Sequence, residues 1–486
     1  VNRELLQIVA SAACVLALAA CRESTSPPNA GRPNVILINI DTLRADHLGC
    51  YGYPQPTSAV IDRLASEGVV FTDAAANSSY TRESVSALFS GMLPSHAGAA
   101  GWDAHPSNPS PPLAEVLHGA GYQTAFLDLT TMLAHESFAR GFDQVEHLTK
   151  RGRVSRKGPQ LSQRTLDLIA ALDPQRPYFV YLHYLDPHGP YDPPPDALDR
   201  FGGNLVETPL DLYRDLRPHL PELRRQGFQP GSPAFLDVVR RYDAEVFDTD
   251  RAVGRLLEGL RQRGALEHTM VVVTADHGEE FLEHDFVEHS WTLYEESIRV
   301  PLIFWAPGHL ASTRVAGRVS TVDIYPTILG LLDVDFAVAG LDGKSLFTSG
   351  GGERRPADLG DREQISEVLI AERNVVRAVC KGKWKYLSAL RWLEPEERPA
   401  AAAIPMANRA AVRGPTTGLW GPAIHEELYD LTLDPGESHN LAASEPGVAR
   451  QMSEIFLAYR SRCTSPPAPS RTLTEEEAEA MRALGY

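Results

Sequence analysis

Two apolar runs in this sequence stop on an acid. Asn34-Val35-Ile36-Leu37-Ile38-Asn39-Ile40 leads into Asp41, with Thr42, Arg44, Asp46 and His47 just behind it. Met270-Val271-Val272-Val273-Thr274 leads, past Ala275, into Asp276 and His277. Runs of this kind, rich in β-branched residues and bounded by turn signals, read as strands buried on both faces. Ligands of open α/β sheets gather at the carboxyl ends of such strands. Two carboxylates and an imidazole delivered to one sheet edge form a ligand set for a divalent cation. Gly278 gives the turn room for the adjacent Asp276 and His277 to reach one ion. Either acid alone is equally an N-cap or a loop residue. Between the runs, Ser78 to Gly91 sets several hydroxyls, Thr81 among them, ahead of a helical pattern. A hydroxyl at a helix N-terminus sits where backbone N–H groups favour an anion. Beside a metal it can ionise and act as a nucleophile, although an isolated one is more often a cap. The segment Leu185 to Asp192 adds Asp186 and His188, and its prolines exclude helix and central strand.

These groups need a scaffold, and the chain supplies alternating elements. Thr57–Glu67 reads as an amphipathic helix closed by Gly68 and followed by a strand, Val69–Phe71. Leu113–His118 and Leu161–Leu172 read as helices, Thr124–Leu129 and Tyr178–Tyr184 as strands. A long helix is expected over Arg240–Arg263 and a strand over Arg299–Trp305. The alternation runs to about residue 345 and predicts an α/β fold, a parallel-rich sheet with helices on both faces. Residues 196–235 form a polar insertion that suits a lid or rim. We divide the chain into a catalytic domain over 33–348, a Gly-rich charged linker over 349–364 and a smaller α+β subdomain over 365–486. Within the last, Asn374–Cys380 and Lys383–Leu387 read as strands, and Leu473–Tyr486 reads as a helix capped by Thr474. An Ala-rich insert, 400–411, carries no assignment.

The net charge of −17 argues against a nucleic-acid-binding surface, while a local pocket can still take an anion. Leu5–Ala20 is apolar except for Gln7 and Ser11, and short of the roughly 20 residues a bilayer span needs. It ends Leu18-Ala19-Ala20-Cys21, which resembles a bacterial lipoprotein signal with Cys21 as the lipidated residue. Residues 1–21 are then a signal peptide and 22–32 a flexible tether. The expectation is an extracytoplasmic protein lipid-anchored to a bacterial membrane, in the periplasm or at the cell surface. Cys50, Cys380 and Cys463 match no zinc spacing, and at most one disulfide can form among them.

Several blocks carry a wider resemblance: PNVILINIDTLRADHLGCYGY, TSAVIDRLASEGVVFTDAAA, Leu88-Phe89-Ser90-Gly91, HYLDPHGPYDPP, YDAEVFDTDRAVGRLLEGLR, TADHGEEFLEH, LYEESIRVPLIFWAPG, ELYDLTLDPGESHNL and LTEEEAEAMRALGY. In this order they resemble the sulfatase family of the alkaline phosphatase superfamily, over about residues 33 to 486. The resemblance implies a large mixed, mostly parallel sheet with a smaller C-terminal subdomain. It also implies hydrolysis of an anionic sulfate- or phosphate-ester substrate with one divalent metal ion. Calcium comes first by family, with magnesium, manganese or zinc as alternatives. Asp41, Asp276 and His277 fall on the family's metal ligands. Thr42 stands at the next ligand position, often a second Asp, and a neutral hydroxyl there weakens a calcium-type site. Arg44 follows within the motif, His188 matches a histidine facing the substrate, and His289 is favoured over His284 as a second.

The nucleophile position departs from the family pattern. Sulfatases carry Cys or Ser in a Cys/Ser-x-Pro-x-Arg motif and oxidise it to formylglycine; here those positions are Thr81, Glu83 and Val85. No formylglycine is therefore expected. An unmodified Thr or Ser is used by phosphodiesterases, phosphatases and phosphotransferases of the superfamily. A threonine ester must be attacked by water or another alcohol, and Asp186, His188 and His289 are the candidates to assist. Val85 also removes an arginine clamp that Arg82 or Arg44 would have to replace. Two alternatives follow: a phosphodiesterase or phosphotransferase acting on membrane head groups, and a degenerate member that binds anionic glycans or lipids without turnover.

Overall fold

The computed structural model describes residues 31–99, 101, 105–108, 110–149, 158–203, 216–335, 338–350, 353–370, 374–392 and 420–460. The main unit starts with β1 (Asn34–Ile40), α1 (Ala59–Glu67), β2 (Val69–Ala75), α2 (Thr81–Ser90) and α3 (Leu113–Gly119). It continues through β3 (Gln123–Asp128), β4 (Gln144–His147), α4 (Gly158–Ala171), β5 (Tyr178–Tyr184), α5 (Pro233–Gln262) and β6 (Thr269–Thr274). A short hairpin, β7 (Glu280–Phe281) and β8 (Val287–Glu288), precedes β9 (Arg299–Trp305), β10 (Thr313–Ser320) and α6 (Ile324–Leu331).

Eight strands form one sheet in the order β10-β2-β9-β6-β1-β5-β3-β4. It is mostly parallel: β1 lies between β5 and β6 and runs parallel to both, while β9 runs antiparallel to β6 and β2. The side chains of β1 explain its central place. Ile36, Ile38 and Ile40 join one apolar cluster with α1, α4 and α5, whereas Val35 and Leu37 join another with α2, α3 and α6. A strand whose alternate residues are all apolar has to be covered on both faces.

The long helix α5 begins at Pro233, earlier than the apolar periodicity implies. Ser232 caps it by accepting from Phe235 N, and Pro233 suits a first-turn position that needs no N–H. Among its described residues, the insertion expected over 196–235 carries the short helices Pro195–Arg200 and Leu216–Arg225. The second abuts the β7–β8 hairpin, where Leu216 N donates to Glu288 Oε1 at 2.6 Å.

Within 349–364, expected as a linker, the chain turns through the antiparallel pair β11 (Phe347–Gly350) and β12 (Glu353–Pro356). The smaller C-terminal unit is a four-stranded antiparallel sheet of β13 (Glu363–Ile370), β14 (Asn374–Lys381), β15 (Trp384–Trp392) and β16 (Trp420–Asp430). One helix, α7 (Pro446–Arg460), packs on it through Met452 and Phe456. Cys50 and Cys380 are free thiols. Cys21, Cys463, the insert over 400–411 and the expected helix over 473–486 lie outside the described residues. Among the described residues no helix is long and apolar enough to cross a membrane.

Candidate active site

Parallel strands β5, β1 and β6 bring their carboxyl ends together, and this fixes the acids. Asp41 follows β1, and its N–H donates to Tyr184 O at 2.9 Å, which continues the ladder. Asp276 follows β6, and Ser84 Oγ of α2 donates to its carbonyl at 2.5 Å. That bond ties the first turn of α2, and with it Thr81, to the Asp276–Gly278 turn. Gly278 is required there, since a Cβ would lie 2.0 Å from Glu296 O. The Asp41–Thr42 turn is held from α5: the Tyr242 hydroxyl donates to Thr42 O and accepts from Arg44 N, at 2.8 and 2.9 Å. Thr42 adopts φ 55, unusual for a β-branched residue.

The acids face one another without a full set of partners. Asp41, Thr42, Asp276 and His277 are all buried. Asp41 Oδ1, Thr42 Oγ1 and Asp276 Oδ2 have no hydrogen-bond partner. His277 donates Nδ1–H to Gly278 O at 3.0 Å, so its Nε2 lone pair points inward, 3.7 Å from both Asp41 Oδ1 and Asp276 Oδ2. Buried carboxylate oxygens left unpaired beside an imidazole lone pair fit a divalent cation. Asp41, His183 and Asp276 also form a cluster whose ligand atoms lie within 4.8 Å of one another.

The charges are coupled. Burial and the Asp41 charge push Asp276 up to about 6. Burial also acts to raise Asp41, but the charges of His188, His183 and His277 and the His183 hydrogen bond hold it well below the usual carboxylate range. One negative charge thus falls on Asp41 before Asp276 ionises.

Thr81 occupies the first position of α2, with its Oγ1 3.2 Å from His277 Nε2. Beyond His277 the rings continue: His289 lies 4.4 Å from His277, and His188 meets His289 edge to face at 4.9 Å, centroid to centroid. His188 donates Nδ1–H to Gly189 O at 2.6 Å, and His289 Nδ1 pairs with Glu279 Oε1 at 2.8 Å. Tyr191 donates to the other Glu279 oxygen at 2.8 Å. Burial pushes Glu279 up to about 7, against the charge of His188.

Not every expected residue joins this group. The Arg44 guanidinium is engaged by both oxygens of Asp46, by Glu283 and by Glu279 O. Arg82, adjacent to Thr81, donates Nε–H to Met132 O. His284 stacks on Tyr294 and pairs with Glu296 and with Glu437 O, on the contact with the C-terminal unit. Glu83 is buried and binds Ser78, Gly101 N and Leu369 N, so it braces the loops around α2. Burial pushes it up to about 8. Val85 packs in the apolar core beneath α2.

Sequence reasoning passed over His183, Asn39, Glu279, Tyr191 and Tyr242. Two of them left a trace: Asn39 and His183 are polar residues near the ends of apolar runs, and they stand opposite each other in the β1–β5 register.

A family model described as Sulfatase matches residues 33–334. Arylsulfatase A of Homo sapiens is 27% identical, with 92% of this chain and 89% of that protein covered. Delta 4,5-hexuronate-2-O-sulfatase of Bacteroides thetaiotaomicron is 23% identical, with 87% of each covered. Among solved structures, a protein in complex with its substrate D-glucosamine-2-N,6-O-disulfate superposes with a TM-score of 0.68 at 18% identity, covering 90% of this chain and all of that one. The phosphonate monoester hydrolase of Agrobacterium radiobacter gives 0.65 at 19% identity, covering 92% and 99%.

Proposed function

Because this chain belongs to the sulfatase family, we propose that it is a metal-dependent hydrolase of sulfuric or phosphoric esters with unmodified Thr81 as nucleophile. One observation carries the reading: the Thr81 hydroxyl sits 3.2 Å from His277 Nε2, the nitrogen that lies 3.7 Å from the unpaired oxygens of Asp41 and Asp276. Asp41, Asp276 and His277 would hold the ion, and the Thr42 hydroxyl lies beside them. A divalent ion, if bound there, would lower the pKa of the Thr81 hydroxyl and draw charge from the ester oxygens. The first turn of α2 adds backbone N–H groups that favour an anion. Thr81 Oγ1 forms the new bond to sulfur or phosphorus as the bond to the leaving oxygen breaks, and its hydroxyl proton returns through solvent to the His188–His289 pair. The departing oxygen takes a proton from the His188–His289 pair. Water then cleaves the threonine ester, releases sulfate or phosphate and restores the hydroxyl.

Thr81 at the formylglycine position, with Val85 in place of the arginine, favours phosphoryl transfer within this class. A threonine ester has no aldehyde to collapse to, so turnover depends on water or another alcohol as second nucleophile. The relatives' names favour sulfate esters, and the disulfated glucosamine bound by a structural neighbour supports an anionic sugar ligand. The Leu-Ala-Ala-Cys box supports lipidation at Cys21 and placement on the outer side of a bacterial membrane. The mass of the mature N-terminus checks that placement.

The decisive assay offers aryl sulfate, phosphate monoester and phosphodiester substrates with calcium, magnesium, manganese or zinc. Thr81→Ala is expected to lower kcat/KM by about a thousandfold or more while metal uptake persists. Unchanged turnover in Thr81→Ala removes the nucleophile assignment. Metal uptake by folded protein without turnover of any ester favours the binding alternative. Intact mass shows whether Thr81 is unmodified.

A further inference from the structure

Two histidines meet the acids of this site, and their other partners give them opposite tautomers. His277 spends Nδ1–H on Gly278 O and turns its unprotonated Nε2, which the Thr81 hydroxyl also approaches at 3.2 Å, toward Asp41 Oδ1 and Asp276 Oδ2. His183 is wholly buried in β5, with Asn39 Nδ2 3.1 Å from its Nδ1. An amide nitrogen only donates, so this Nδ1 accepts and the ring proton sits on Nε2. That nitrogen is 3.1 Å from Asp41 Oδ2, which therefore receives its hydrogen bond. Tyr181 OH, 3.0 Å from Nδ1, closes the other side of the ring.

We infer that His183 is a positioning residue for the metal site: it holds Asp41 Oδ2 and thereby aims Oδ1 at the ion, while His277 alone supplies nitrogen. The inference rests on the metal-dependent reading above. Its force comes from Thr42. With a hydroxyl in place of a further acid, each remaining carboxylate has to be well placed, because fewer donors share the ion. Asp41 has one oxygen on His183 and one without a partner, the arrangement expected of a monodentate ligand fixed from behind. Asn39 sets this arrangement from the same strand as Asp41, two residues earlier, directly across from His183 in the strand register.

The test loads the full chain with manganese and counts imidazole nitrogens on the ion by electron spin-echo modulation. Metal affinity is read in parallel by chelator competition, and folding by circular dichroism of the EDTA-treated protein. The wild type is expected to show one imidazole nitrogen, lost in His277→Gln. His183→Ala is expected to weaken binding by about 10- to 100-fold. His183→Gln keeps an N–H donor, and is expected to stay within a few-fold of wild type and retain the nitrogen signal. If His183→Ala does not fold, His183→Gln and the nitrogen count carry the test. Two nitrogens in the wild type, one of them lost in His183→Gln, would make His183 a ligand and overturn the inference. So would His183→Ala binding as tightly as wild type. A wild type that takes up no divalent ion overturns both this inference and the reading beneath it, which separates that failure from the others.

Discussion

Among the buried charge clusters of the described residues, two are built on opposite plans. Where the main unit meets the C-terminal sheet, Glu295 takes both terminal nitrogens of Arg318 at 2.8 Å and Lys385 Nζ at 2.9 Å. Lys385 also pairs with Glu437 at 2.8 Å, and Arg318 with Asp73 at 2.9 Å. Burial acts to raise Glu295, yet Arg318 and Lys385 hold it far below the usual carboxylate range. At the end of β1 and β6, by contrast, Asp41 and Asp276 face each other, and the basic side chains found against them among the described residues are histidines. Burial there pushes Asp276 up to about 6. The first cluster neutralises itself and fastens β15 to β10. The second leaves an oxygen of each acid without a partner, a gap that a cation would fill. Buried charge alone therefore does not mark a site; buried charge without its counter-charge does.

The largest effect on stability should come from breaking the self-neutralised cluster. Lys385→Met leaves Glu437 buried without its cation and Glu295 with Arg318 alone. Removing one partner of a buried pair costs about 3–5 kcal/mol. Denaturant unfolding should show that loss, while manganese affinity per folded molecule stays at the wild-type value. A loss of metal affinity in Lys385→Met would mean that the two clusters are coupled, and the contrast would fail.

The metal cluster should respond in the other direction. Without metal, Asp276 ionises near 3.8 in the unfolded chain and near 6 in the folded one. Between those values the folded chain holds the extra proton, so stability falls as pH rises from about 4 through 6, by roughly 3 kcal/mol in all. Asp41 works oppositely, since its folded value is depressed. Its contribution is present above about pH 4 and lost only as pH falls further, outside this window. In the metal-free protein, Asp276→Asn should therefore be more stable than wild type at pH 7 and no more stable at pH 4. The other raised acids, Glu279 near 7 and Glu83 near 8, remain in both proteins and largely cancel in the difference. Manganese at 1,000 times its Kd should reverse the order, because it adds about 4.1 kcal/mol to wild type alone. Equal pH profiles for the two metal-free proteins would show that the acids are not in conflict.

The contrast also explains what could be read from the chain. That Asp41, Asp276 and His277 meet at one sheet edge was legible because a polar group at the end of a buried strand is a local property of the sequence. Strands such as Tyr178–Tyr184 and Arg299–Trp305 were legible to the residue because they are apolar on both faces. The partners were not. His183 meets Asp41 only because β1 lies between β5 and β6, and strand order is set by packing across long chain separations. Glu279 reads as one acid of an acidic run until Tyr191 and His289 converge on it from distant loops. Arg44 shows the same limit in reverse. Its place in the motif suggested a substrate clamp, but Asp46 and Glu283 reach its guanidinium. The start of α5 was misplaced for a local reason: Ser232-Pro233 is a stronger start signal than the apolar period that follows it.

The smallest effect compares one backbone angle in the two clusters. Thr42 beside the metal ligands has φ 55, and Glu437 in the paired cluster has φ 50. A non-glycine residue there carries strain of order 1 kcal/mol, worst for a β-branched side chain, and Asn relieves much of it. The two positions differ in what the side chain does. Thr42 Oγ1 has no partner, so Thr42→Asn gives up nothing in the metal-free protein. It should raise stability by about 1 kcal/mol. Glu437 pairs with Lys385 and accepts from Glu295 N at 2.6 Å. Glu437→Asn relieves the same strain but strips a buried cation of one partner, so its net effect should be a loss. Opposite signs from one substitution at one backbone angle would show that strain at the metal site is carried without a compensating contact. If Thr42→Asn also destabilises, the Thr42 hydroxyl has a partner of its own and does not await an ion.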